Sequence, residues 1–108
     1  SSNSMRPIRQ LGAVAASRRA KRSLVVAGIH GQTLETAECS LRNVGLEVEI
    51  FYVPVGLRSP TPAAADAAAT AARQFGADIV IGIGNGGALD LAKAAAGLAG
   101  LGGFRKEL

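Results

Sequence analysis

The sequence predicts an α/β fold, a small parallel sheet covered by helices on both faces. Three observations carry that prediction. Apolar, β-branched runs recur at residues 23–27, 47–53 and 78–83, and segments of helical periodicity lie between them. Hydrophobic residues make up 48% of the 108 residues, but aromatic residues only 4%. Ala and Gly take their place, and small side chains let helices lie close on a sheet.

The first run, Ser23-Leu24-Val25-Val26-Ala27, and the third, Asp78-Ile79-Val80-Ile81-Gly82-Ile83, are nearly continuous in hydrophobicity. Strands buried on both faces have this character. The second run alternates through Val48, Ile50 and Tyr52, which predicts one more exposed face. Between the first two runs, Leu34, Ala37, Leu41 and Val44 form one helical stripe that Gly45 ends. Thr61 and Pro62 are a candidate N-cap and first helical residue, with the helix running to Phe75 and Gly76 ending it. A last helix is expected over residues 87–98, with Leu89, Ala92 and Ala96 on one face. A short helix over residues 13–20 is allowed before the first strand. The expected order is β-α-β-α-β-α with right-handed crossovers, and the stretch from Gly102 onward shows no closing element.

Charge is unevenly placed. The net charge is +4, and Arg6, Arg9, Arg18, Arg19, Lys21 and Arg22 all precede the first acid, Glu35. A nucleic-acid surface would call for interleaved aromatics or a binding motif; neither is present, so a solvated helix face is the better account. Ser1 to Ser4 before Met5 read as an expression scar. The chain has no apolar run long enough to span a membrane. A single cysteine, Cys39, excludes an internal disulfide. A cytoplasmic protein is expected, with a mitochondrial or other organelle matrix as the alternative.

The informative stretch is Gly82-Ile83-Gly84-Asn85-Gly86-Gly87-Ala88-Leu89-Asp90-Leu91-Ala92-Lys93. It leaves a buried strand, crosses a glycine turn and enters a helix. Absent side chains let backbone approach a ligand, and the free N–H groups and dipole of the helix start favour an anion such as pyrophosphate. The plain alternative is a tight turn that lets the helix pack closely. Gly82, Gly84 and Gly87 match G-x-G-x-x-G. The dinucleotide fingerprint also needs an acid at the end of a following strand; none is expected here, with Glu107 at the chain end. The loop lacks the G-K-[ST] of a P-loop.

From Gly84 to Lys93 the sequence resembles the G-G-G-S-x-x-D-x-A-K motif of the iron-dependent alcohol dehydrogenase family. That family includes maleylacetate reductases and is related to glycerol dehydrogenase and dehydroquinate synthase. Gly76-Ala77-Asp78 before the third strand, Ser59-Pro60-Thr61 in place of N-P-T, and Val25-Val26-Ala27-Gly28 in place of V-V-T-D extend the resemblance over residues 24–108. It implies a Rossmann-like three-layer unit. Gly84, Asn85, Gly86, Gly87 and Ala88 would hold the cofactor pyrophosphate, and Asp90 would lie near the nicotinamide ribose or substrate cleft. Ser59 and Thr61 would border the adenosine end, and Lys93 would either shape the site or be a solvated lysine.

Three departures stand out. Asn85 replaces a glycine and Gly87 a serine. Gly28 stands where NAD-preferring members carry a ribose-binding Asp, so the resemblance leans to NADP over NAD. His30 is either a surface loop residue or an attraction for the 2′-phosphate. The family's metal is held in a later helical domain, and this chain has one histidine. The expected organisation is therefore a tag and basic arm or short helix at residues 1–22, then a nucleotide-binding domain at residues 23–108. Iron or another divalent metal would belong only to a full-length parent. The implied partners are a nicotinamide dinucleotide, a missing C-terminal domain and another copy of the chain, with no membrane and no nucleic acid. No catalytic or metal-binding residue is assigned. The alternatives are a free-standing nucleotide-binding or interaction module, or part of a dehydroquinate synthase-like or glycerol dehydrogenase-like enzyme.

Overall fold

A computed structural model describes residues 8–107. Within them the chain forms α1 (Leu11–Ser17), β1 (Arg22–Ala27), α2 (Gln32–Asn43), β2 (Glu47–Tyr52), α3 (Pro62–Phe75), β3 (Ile79–Gly84), α4 (Gly86–Ala99) and β4 (Gly102–Glu107). The four strands make one parallel sheet in the order β2-β1-β3-β4. The expected α/β alternation is present. The fourth strand corrects the expectation that nothing follows the last helix. Gly102 and Gly103 and the charged residues after them carry no strand pattern. β3 supplies the pairing, with Ile79 opposite Gly102 and Gly84 opposite Glu107, so tertiary context overrides a weak local propensity. The first helix is Leu11–Ser17, earlier than residues 13–20. The expression scar and Arg6 lie outside the described residues.

The strands alternate between two cores, which explains their continuous hydrophobicity. Val25, Ala27, Ile79, Ile81 and Ile83 face Ile8, Leu11 and Ala15 near α1 and Leu34, Ala37 and Leu41 of α2. Leu24, Val26 and Val80 face Ala64, Ala65 and Ala72 of α3 and Leu91 and Ala92 of α4. The second core is built largely of alanine because α3 and α4 lie close to each other and to the sheet. At Gly82 an added Cβ would come 2.7 Å from the Ala92 Cβ, so α4 can sit over β3 only if that strand position lacks a side chain.

Local chemistry sets the helix ends. Thr61 is extended, and its hydroxyl accepts from the Ala64 N–H at 3.1 Å, with Pro62 at the first helical position. Gly76 ends α3 in the left-handed conformation at φ 73°. The Asp78 carboxylate accepts from the backbone N–H groups of Lys21 and Arg22, at 2.8 and 3.3 Å, tying the start of β1 to the start of β3. No helix of the described residues is long and apolar enough to cross a membrane.

Candidate functional site

The strand order locates the site. From β1 the chain moves outward to β2, then crosses back to β3 on the other side of β1. At such a reversal the two connections leave β1 and β3 in opposite directions, opening a crevice at the carboxyl ends of those strands. Gly28 directly follows β1 and Gly84 ends β3, so the glycine turn and the β1 terminus meet at this point. The Gly28 N–H donates to the Ile83 carbonyl at 2.8 Å.

A cleft of about 360 Å³ occupies the crevice, lined by Ala27, Gly28 and His30, by the loop from Val53 to Arg58, and by Asn85 and Ala88. Its floor carries almost no side chain. A Cβ on Gly28 would lie 2.8 Å from the Ala88 Cβ, and one on Gly84 would lie 3.2 Å from the Gly28 Cα. Gly84 also has φ 143°, which L side chains seldom adopt. The wall is the β2–α3 loop, turned by a Leu57 N–H to Pro54 carbonyl bond of 3.1 Å with Gly56 at φ 81°. A positive φ at the third residue of such a turn calls for glycine. This loop closes on the start of α4, where a Cβ on Gly87 would meet the Leu57 carbonyl oxygen at 2.7 Å.

The two neighbouring helices begin differently. α3 has its Thr61 cap, whereas Asn85 makes no side-chain capping bond to α4. The first-turn N–H groups of α4 therefore lack that internal acceptor. They open beside a cleft lined by Asn85 and Ala88, where an anion would satisfy them and meet the positive end of the helix dipole.

The sequence-derived residues separate into groups. Gly28, Gly84, Asn85, Gly86, Gly87 and Ala88 come together around the cleft and its turn. Asp90 does not line the cleft; with Lys93, Ala94, Gly97 and Leu98 it borders a hollow on the outer side of α4. Lys93 also lines a gap between α4 and β4, with Val80, Ala92 and Leu101. Ser59 and Thr61 lie just beyond the wall loop and are not among the lining residues. Asn85, which replaces a glycine of the motif, is extended at φ −99°; the positive φ of the turn falls on Gly84.

Comparison with known proteins agrees with this geometry. The family model for iron-containing alcohol dehydrogenase matches residues 5–107. The chain belongs to the iron-containing alcohol dehydrogenase family. Among curated proteins no sequence matches it. Its fold is similar to that of NADH-dependent butanol dehydrogenase A from Thermotoga maritima, at TM-score 0.70 and 23% identity over 82% of this chain and 23% of that one. An archaeal alcohol dehydrogenase from a Red Sea brine pool gives TM-score 0.74 and 23% identity, over 86% of this chain and 23% of that one. Maleylacetate reductase from Agrobacterium tumefaciens gives 0.71 and 22%, over 93% and 28%. At these identities the likeness is one of fold, and the chain spans about a quarter of the length of each of those structures.

Against the family motif, the two glycine departures acquire a steric reason. A serine at Gly87 would drive its Cβ into the Leu57 carbonyl, and an aspartate at Gly28 would drive its Cβ into Ala88. The family also implies iron. Among the described residues no three His, Cys, Asp or Glu side chains gather into a possible metal site, so the residues present do not fit that group. What sequence reasoning missed is the wall from Val53 to Arg58. Its signal was Pro54-Val55-Gly56, a turn pattern whose proximity to the glycine turn depends on the β2–α3 crossover.

Proposed function

We propose that this chain is the dinucleotide-binding part of an alcohol dehydrogenase-like oxidoreductase, taking NADP or NAD in the cleft between β1 and β3. The observation that carries the reading is the coincidence of three features at one place. The topological switch point, the glycine-rich turn from Gly84 to Ala88 and the start of α4, which has no side-chain cap, all meet there. In this reading the N–H groups of the α4 first turn hold the pyrophosphate, and Gly28 and Gly84 let the ligand lie against backbone. The nicotinamide, when bound, supplies hydride chemistry; the residues described here bind and orient it. The interconverted alcohol and aldehyde, and any metal that polarises them, belong to the whole enzyme.

Calorimetric titration of the chain with NADPH and NADH, beside Gly86→Asp, tests the reading. An added Cβ at Gly86 has nothing within 4 Å, so the variant should fold. Its carboxylate should repel the pyrophosphate and weaken binding by more than about tenfold. Equal affinity in the variant would move the pyrophosphate away from this turn.

A further inference from the structure

The wall loop and the start of α4 are in backbone contact, and position 87 decides how close they come. An added Cβ at Gly87 would stand 2.7 Å from the Leu57 carbonyl oxygen and 3.6 Å from that of Arg58. Neither backbone is free to shift. The loop is held at its start by the Val53 N–H to Ala27 carbonyl bond of 2.9 Å and at its turn by the Leu57 N–H to Pro54 carbonyl bond. Gly87 is buried in the first turn of α4. The missing side chain at Gly87 therefore sets the seat of the loop on the helix. The residue that this seat carries to the cleft is Arg58, which lines it with Asn85 and Ala88.

Most arginines of the described residues already hold a partner within the fold. Arg18 donates to the Gly103 carbonyl, Arg22 pairs with Glu47, Arg42 with Glu38, and Arg73 donates to the Leu98 carbonyl. The Arg58 guanidinium has no hydrogen-bond or ion-pair partner among the described residues, and no Asp or Glu lines the cleft. A guanidinium fork matches phosphate oxygens in shape and charge. The first-turn N–H groups of α4 meet an anion from the helix side alone. The Leu57 carbonyl brings partial negative charge to that helix start, and a cation on the next residue of the loop offsets it. A diphosphate carries charge on two adjacent groups, so a helix start and a facing cation can each take one.

We propose that Gly87 and Arg58 together make a clamp on a diphosphate. Gly87 lets the wall loop seat against α4, and the seated loop presents the Arg58 guanidinium to one phosphate while the α4 N–H groups take the other. This rests on the cofactor reading above and deepens it by assigning a second arm, outside the glycine turn. Arg58 touches the ligand, whereas Gly87 is a positioning residue that acts through the Leu57 carbonyl. The diphosphate is common to NADPH, NADH and ADP, so the clamp does not distinguish among them.

The test is calorimetry on the full chain with ADP, AMP, NADH and NADPH, with thermal melts as the folding control. The wild type is expected to bind ADP at least about tenfold more tightly than AMP, because only ADP offers a second phosphate. Arg58 is exposed, so Arg58→Ala should melt like the wild type. It should lose about tenfold in affinity for ADP, NADH and NADPH alike, with AMP binding unchanged. Arg58→Lys should recover part of the loss, since the charge returns without the fork. Gly87→Ala should weaken ADP binding by a similar factor, and adding Arg58→Ala to it should cost little more, because the displaced loop has already withdrawn the guanidinium. An Arg58→Ala chain that binds ADP as tightly as the wild type would overturn the clamp while leaving the cofactor cleft in place. Equal losses for AMP and ADP, or a loss confined to NADPH, would also overturn it, placing Arg58 elsewhere on the ligand. Fully additive losses in a folded double variant would overturn the role of Gly87. Should Gly87→Ala fail to fold, the Arg58 variants decide the question. Failure of a folded wild type to bind either cofactor would take down the cofactor reading itself, and the clamp with it.

Discussion

At the scale of single residues, glycine does two different jobs in this chain. Gly84 is needed for its backbone angle, φ 143°. Gly82 is needed for space, since a Cβ there would stand 2.7 Å from that of Ala92 and 3.4 Å from the Ala88 carbonyl. A buried strand and a buried helix face cannot both yield, so overpacking is the expected cost. Gly82→Ala should destabilise the chain by about 1–3 kcal/mol, measured by urea unfolding. Ala92→Gly in the same chain should recover part of the loss, because it returns the missing volume at the helix side. Additive losses in the double variant would show that the two positions do not press on each other.

At the scale of elements, α3 and α4 have the same length and lie side by side, yet they start on opposite terms. α3 closes its first turn with the Thr61 hydroxyl, while α4 makes no side-chain cap. A helix start that is capped is satisfied within the fold, whereas one left without a side-chain acceptor beside a cleft suits an anion. Thr61→Ala should therefore cost about 1 kcal/mol and lower the melting temperature by about 4–8 °C, with cofactor affinity unchanged. A change in affinity comparable to that of Gly86→Asp would mean that Thr61 reaches the ligand, the role the family resemblance allowed it.

At the scale of the whole molecule, the described residues form a parallel sheet with a crevice at its topological switch point and no cluster of three His, Cys, Asp or Glu side chains. Hydride transfer needs a substrate held and polarised against the cofactor, and on the proposed function those groups belong to the whole enzyme. The chain is expected to bind cofactor but to turn over no alcohol or aldehyde. Absorbance of NADPH at saturating substrate checks this, and turnover by the pure chain would show that the catalytic groups lie within it.

The sequence by itself determined the elements and the identity of the turn. The β-branched runs, the Thr61-Pro62 start and the Gly76 stop each act through local backbone and side-chain preferences, which need no partner to be legible. The residues Gly84, Asn85, Gly86, Gly87 and Ala88 were readable because their spacing encodes a strand, a turn and a helix start. Tertiary structure alone decided the rest. It made a strand of Gly102–Glu107 by pairing it with β3, against weak local propensity. It placed Asp90 on the outer side of α4 and Asn85 in an extended conformation. It also brought Arg58 and Ala88 beside the cleft at Gly28, residues far apart in sequence that meet only because the chain reverses its direction across the sheet between β2 and β3. Local patterns report what a segment prefers, whereas the approach of one backbone to another depends on how every layer packs.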